Sequence, residues 1–249
     1  MNIGQVNPRQ YWEKRLYTQS SLRGTGHRAF NEDYNQILYR SQAECLDSLF
    51  AEALIAPSGR SVFDVGSGTG YFIRYYQDRG ASVIVGADLT YASVTYLKQH
   101  LDGVNILQCD ITAPNLPIRQ EFDIVNCISV LYHILDDALF ACALTNLCQS
   151  VAKNGFLIVS DIFRHAYSAR HARFRPLEAY ETILRSNHLS IVTILPVYFF
   201  LNRVFIPIVG PKLVEIFQLG EWFYHIDRRL RQKGVKKGAS MYFLLAKRI

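Results

Sequence analysis

Residues 62–72 read VFDVGSGTGYF, and this stretch decides the fold. Val62, Phe63 and Val65 form a short apolar run around one acid, Asp64. Glycines then stand at alternate positions, Gly66, Gly68 and Gly70, before a helical pattern opens. A run apolar on both faces belongs inside a sheet that is covered on both sides. Glycines in the following turn let a ligand lie against the backbone, and the free N–H groups of the helix start face it. Taken alone, the loop leaves open a dinucleotide site, whose glycines are spaced GxGxxG, and a purely structural tight turn.

Working outward, apolar strands at 61–65, 82–88, 104–109, 122–128 and 156–161 alternate with helices. The helix after the glycine loop ends at Gly80, Thr90 caps one that reaches Leu101, and another spans about 136–152. This alternation indicates an α/β chain with a doubly wound, mostly parallel sheet. Upstream, Pro8 opens a short helix through Tyr17, SSLRGTGHRAF (20–30) reads as a loop, and Asn31 caps a helix to about Ile55. Downstream, a helix over 176–187 leads to a strand near 191–197, a long aromatic segment and a strand over 241–246. With no regular crossover helix between them, the last strand is expected to enter antiparallel.

The 249 residues suit one domain, with 1–55 as a helical N-terminal part, 56–161 as the core and 162–249 as insertions and final strands. Five cysteines in no close-spaced pattern argue against a disulfide framework or a metal site, and no metal is expected. The polar start MNIGQVNPRQYWEKR has no apolar leader, so the expected compartment is the cytoplasm. No run of about 18 apolar residues exists to span a bilayer. The net charge of +6 concentrates in Arg164, Arg170, Arg173 and Arg175 and in a basic tail over 228–248, which attract anions or form a solvated face.

Two further acids follow the glycine loop. Asp88 ends the second strand in GADLT, placed to accept from both ribose hydroxyls of an adenosine. Asp110 ends the third in QCDIT, placed for an adenine amino group with Ile111 against the ring. The fourth strand runs into a loop in FDIVNCISVLYHI (122–134). In this order the motifs resemble those of the class I S-adenosylmethionine-dependent methyltransferases, in the small-molecule branch that includes ubiquinone and menaquinone biosynthesis enzymes. The resemblance covers roughly residues 45–195. It implies a Rossmann-like, seven-stranded sheet with an antiparallel last strand, a helical N-terminal lid, and S-adenosylmethionine as cofactor. It also implies that Asp64, Gly66, Ser67, Gly68 and Gly70 hold the methionine moiety. Asp88 with Leu89 would take the ribose, Asp110 with Ile111 the adenine, and Ile128, Ser129 and Leu131 the space under the sulfonium. Ser129 stands where an acid is common and Ser67 where cysteine is, which leaves the subfamily open.

A sulfonium methyl is intrinsically electrophilic, so alignment alone supplies about 7–11 kcal/mol. Where the nucleophile is a hydroxyl or protonated amine, a base adds about 10²–10⁴-fold. His133, His27 and His165 are the candidate bases, weighed against packing roles. Tyr34, Tyr39, Arg164 and Trp222 are candidates for acceptor binding. The expected reaction is methylation of an O or N nucleophile on a small hydrophobic or amphipathic acceptor of natural-product metabolism, with a carboxylate or phosphate as its anionic group. RNA or protein methylation is the alternative. The expected partner is a small molecule rather than nucleic acid. Peripheral membrane contact stays open, as does the choice between monomer and homodimer.

Overall fold

The computed structural model describes residues 7–163, 167–169 as backbone, 171–201, 210 and 218–249. The strands are β1 Ser61–Val65, β2 Val83–Asp88, β3 Asn105–Gln108, β4 Phe122–Cys127, β5 Val151–Asp161, β6 Tyr167–Ala169, β7 Ala172–Phe174, β8 Leu189–Tyr198 and β9 Met241–Arg248. Among the described residues the main sheet has seven of them, in the order β3-β2-β1-β4-β5-β9-β8, and β6 and β7 pair as a separate hairpin. The first five are parallel, while β9 runs antiparallel between β5 and β8. The expected antiparallel last strand is therefore present.

The helices are α1 Pro8–Thr18, α2 Leu22–Thr25, α3 Glu32–Glu52, α4 Tyr71–Asp78, α5 Tyr91–His100, α6 Asp137–Gln149, α7 Leu177–Ser186 and α8 Leu219–Gln232. Successive strand residues point to opposite faces. Val62, Ile124 and Ile158 accordingly join α3, α4 and α8 in one core, whereas Phe63, Val125 and Leu157 join α6 and α7 in the other. Phe63 stacks on Phe122 of the neighbouring strand at 5.1 Å.

Three readings of the sequence change. Residues 20–30 are not all loop, because α2 forms within them, its N-terminus capped by Glu32, which accepts from Ser21 Oγ (2.7 Å), Leu22 N (2.9 Å) and Arg23 N (3.1 Å). Helix α3 belongs to the core more than to a lid, since Cys45, Leu46 and Leu49 are fully buried. The chain between β8 and β9 contains α8, so a helix does connect them. Its buried Asp227 grips the end of β8, accepting from the N–H groups of Phe199 (3.1 Å), Phe200 (2.9 Å) and Leu201 (3.2 Å).

At the end of β5, buried Asp161 accepts from Tyr180 Oη on α7 (2.5 Å) and from Ile162 N (2.6 Å). Burial nonetheless pushes its carboxyl up to about 6. A carboxyl with a raised folded pKa stabilises the fold below the unfolded value and loses that contribution as pH rises through the folded one. Between pH 4 and 7 the stability of Asp161→Asn should therefore gain on the wild type by about 2 kcal/mol. Urea unfolding at both ends of that window measures the difference, and a constant difference would contradict the assignment.

Candidate cofactor and acceptor site

The carboxyl ends of β1, β2, β3 and β4 meet where the chain's crossovers diverge, the place at which open α/β sheets leave a crevice. Gly66, Gly68 and Gly70 all have positive φ (76°, 53° and 81°), which only glycine adopts without cost. Space is equally restrictive. A Cβ on Gly66 would lie 2.2 Å from Val130 Cγ2, and one on Gly68 would lie 2.5 Å from Thr25 Cγ2. The loop after β4 and the N-terminal segment thus both close onto the glycine loop.

Asp88 fixes that loop. One of its carboxylate oxygens accepts from Gly68 N (2.9 Å), the other from Thr90 N (2.9 Å) and Thr90 Oγ1 (2.7 Å). Burial raises its pKa, opposed by these same hydrogen bonds. Asp110 forms a local turn by accepting from Thr112 N (3.0 Å) and Thr112 Oγ1 (2.7 Å), all through Oδ1. Asp64 pairs across strands with Asn126, whose Nδ2 donates to Oδ1 at 2.7 Å. Its Oδ2 is buried and without a hydrogen-bond partner among the described residues. Burial pushes this carboxyl up to about 6. Ser129 adopts φ 62°, strained for a non-glycine residue by about 1–3 kcal/mol, with its N–H held by Ser160 Oγ at 2.7 Å.

Between these elements lies a cavity of about 470 Å³. Gly66, Gly68, Asp88, Leu89, Asp110, Ile111, Ile128 and Ser129 are on its wall. Asp64, Ser67, Gly70 and Leu131 are not: Asp64 and Ser67 are buried, with Ser67 Oγ turned back to donate to Asp64 O, and Leu131 is fully buried in the second core. The residues present suit S-adenosylmethionine. Two strand-end acids offer acceptors to hydroxyl and amino groups, side-chain-free backbone lines the wall, and a buried carboxylate oxygen without a partner lies under the loop.

Residues 63–159 match the family described as methyltransferase domain. The magnesium protoporphyrin IX methyltransferase of Synechocystis PCC 6803 with bound SAM has a similar fold. Its TM-score is 0.61 at 15% identity, covering 100% of both chains. A methyltransferase domain thus spans residues 63–159, and the chain as a whole shares its fold with that SAM-bound methyltransferase. Among curated methyltransferases, it is 31% identical over 114 residues to the tRNA U34 carboxymethyltransferase of Dichelobacter nodosus, covering 45% of this chain and 35% of that one. It is 30% identical over 105 residues to the ubiquinone biosynthesis O-methyltransferase of Stutzerimonas stutzeri, covering 41% and 43%. The chain thus matches under half the length of either relative.

Most of the remaining cavity wall comes from α1 and from the segment after β4. Helix α1 contributes Arg9, Trp12 and Leu16, and residues 130–139 add Val130, His133, Ile134 and Leu139. Apart from His133 none of these is marked in the sequence, because nothing local shows that α1 reaches the cavity. His133 sits on the wall, its ring edge-on to Trp12 at 4.9 Å and its Nδ1 2.8 Å from His171 O. Tyr39 also lines the cavity. Its hydroxyl donates to Thr25 Oγ1 (2.8 Å), and burial pushes its pKa to about 12, so it stays a neutral phenol.

The structure does not bring His27, Tyr34 or Trp222 to this wall. His27 packs against Phe30 at 4.8 Å. Tyr34 stacks on Phe30 at 3.8 Å and donates to Leu201 O at 2.7 Å. Trp222 is 59% exposed on α8. His165 and Arg164 lie outside the described residues. Arg173 and Arg175 both pair with Asp137, so these two members of the arginine cluster are committed within the chain.

Helix α1 is latched to the core by Glu13, whose carboxylate accepts from Tyr91 N and Ala92 N, each at 2.8 Å. These are the first N–H groups of α5, where a negative charge is favoured. Glu13→Ala should raise the dissociation rate of S-adenosylhomocysteine about tenfold, read by stopped-flow fluorescence, and an unchanged rate would show that the latch does not hold the lid. Asp88→Ala and Gly68→Val should each weaken S-adenosylhomocysteine binding at least about 100-fold by calorimetry with circular dichroism unchanged. Binding undiminished in both would overturn the site.

Proposed function

We propose that this methyltransferase acts on an O or N nucleophile of a small hydrophobic or amphipathic acceptor, of the kind found in natural-product metabolism, with His133 as general base. The observation that carries the reading is the roof of the cavity: Trp12, Leu16 and Tyr39 cover it from the lid side, opposite the glycine loop. With Thr25 in contact distance of Gly68, these side chains leave a partly open, mostly apolar chamber suited to a small acceptor. Arg9 on the rim forms no ion pair among the described residues and is the cation available to an acceptor's carboxylate or phosphate.

S-adenosylmethionine supplies the methyl group: the nucleophile's electron pair bonds to the methyl carbon while the C–S pair stays on sulfur. The residues of this chain align the acceptor and exclude water, the contribution worth about 7–11 kcal/mol. His171 O can only accept, so Nδ1 of a neutral His133 carries the proton and Nε2 is the basic nitrogen. It would take the proton leaving the acceptor O–H or N–H. The binding residues proposed are Asp88 with Leu89 for the ribose, Asp110 with Ile111 for the adenine, and Ile128 with Ser129 beneath the sulfur. Asp64, Ser67, Gly70 and Leu131 support that surface from behind. All five cysteines are free thiols, in keeping with a reducing compartment such as the cytoplasm.

The tRNA-modifying relative favours RNA as the second reading. Part of the basic tail is unavailable to it, since Arg231 bonds Glu44 and Arg248 bonds Glu121.

A screen with methyl-labelled S-adenosylmethionine should transfer label to small hydrophobic hydroxyl or amine acceptors and not to tRNA. With such an acceptor His133→Ala should lower kcat about 100-fold and leave cofactor affinity intact. Label entering RNA alone would overturn the acceptor class, and full turnover in His133→Ala would remove the base.

A further inference from the structure

The β6–β7 hairpin falls in a basic segment whose charge reads, in the sequence, as a receptor for an anion. Two of its cations are spent differently. Arg175 is 3% exposed, and every nitrogen of its guanidinium has a partner on the chain. Nε donates to Asp137 Oδ1 (3.1 Å), Nη1 to Arg173 O (3.2 Å), and Nη2 to Ile134 O (2.8 Å) and Asp136 O (3.3 Å). The guanidinium also lies over the Phe140 ring, 4.0 Å from its centroid. Arg173 reaches Asp137 as well, and its Nη1 donates to Leu135 O at 3.3 Å.

These bonds converge on one short stretch. Ile134, Leu135 and Asp136 directly follow the 3-10 turn Leu131–His133, and all three are on the cavity wall. On the other side of the same turn, Tyr132 packs on Phe174 of β7 at 5.1 Å. The hairpin is therefore bolted to the His133 turn from both directions, and its own His171 O is held 2.8 Å from His133 Nδ1. A backbone carbonyl accepts and never donates, so wherever the hairpin holds it, one tautomer of His133 is selected.

We propose that Arg175, with Asp137 as its counter-charge, is a positioning residue for methyl transfer: it holds the hairpin so that His171 O keeps His133 in the Nδ1–H tautomer with Nε2 basic. The inference rests on the reading of His133 as the base. In the step it supports, the acceptor's O–H or N–H proton passes to Nε2 as its electron pair bonds the methyl carbon. The resulting imidazolium keeps its Nδ1–H bond to His171 O until Nε2 releases the proton to solvent. A guanidinium that is buried and bonded within the chain through all three of its nitrogens fits this task better than anion capture, because it is out of reach of a ligand in solution.

The test uses the 249-residue chain labelled with 15N-histidine and bound to S-adenosylhomocysteine, with the His133→Gln variant identifying the His133 signals. Long-range 15N–1H spectra at neutral pH should show His133 as the Nδ1–H tautomer. Arg175→Ala should shift it to a mixture of tautomers and lower kcat about tenfold or more, leaving the dissociation constant of S-adenosylhomocysteine within about twofold. Asp137→Asn, at an exposed carboxylate, should do the same more weakly and guards against a fold lost in Arg175→Ala. A wild-type His133 carrying its proton on Nε2 would overturn the proposal, as would both variants retaining tautomer and kcat. If His133→Gln kept full kcat, the base reading would fail by itself, whatever the tautomer in the Arg175 variant.

Discussion

Three chain segments meet at the glycine loop within less than the width of a methyl group. Val130 approaches Gly66 and Thr25 approaches Gly68 so closely that a Cβ at either position would overlap them. Asp88 ties the same loop to the neighbouring strand through Gly68 N. This crowding sets the rest of the site. It fixes how far the lid can descend and where the loop after β4 can run. The cavity it leaves runs along the carboxyl ends of β2 and β3, where Asp88, Leu89, Asp110 and Ile111 form part of the wall. The energetic cost falls on a left-handed Ser129 and on buried acids held above their usual pKa, while the three glycines take positive φ without strain.

The cavity wall supplied by α1 and the Glu13 latch are two aspects of one arrangement. Glu13 caps the helix that starts directly after Asp88, Leu89 and Thr90, so the segment proposed to hold the ribose also anchors α1. A bound cofactor and a closed lid would then favour each other, since both order the same backbone. Exclusion of water follows, and with it the setting in which a single imidazole nitrogen can act as base.

Much of this was legible in the sequence because it is local. Alternating apolar strands and helices from residue 61 to 161 carry their own periodicity, and the glycines and acids sit at strand ends where polarity changes abruptly. The shortfalls are long-range. Arg175 reads as a surface cation until it meets Ile134, 41 residues earlier, and Glu13 reads as an ordinary helix charge until it caps residues 78 and 79 positions away. Trp12 and Leu16 line the cavity from a helix whose own sequence shows little amphipathic contrast. Tyr34 and Trp222 were chosen as aromatic residues near expected openings. One instead packs against Phe30 and the other faces outward, because aromatic content marks pockets and ordinary packing alike.

The central claim is that the cavity between the glycine loop and the lid holds the methyl donor with its reacting end toward His133. A crystal structure of the complex with S-adenosylhomocysteine tests this most directly. The ribose should lie on Asp88, the adenine beside Asp110 and Ile111, and the sulfur above Ile128 and Ser129, facing His133 across the acceptor space. A ligand bound elsewhere, or one whose sulfur points away from His133, would contradict the account.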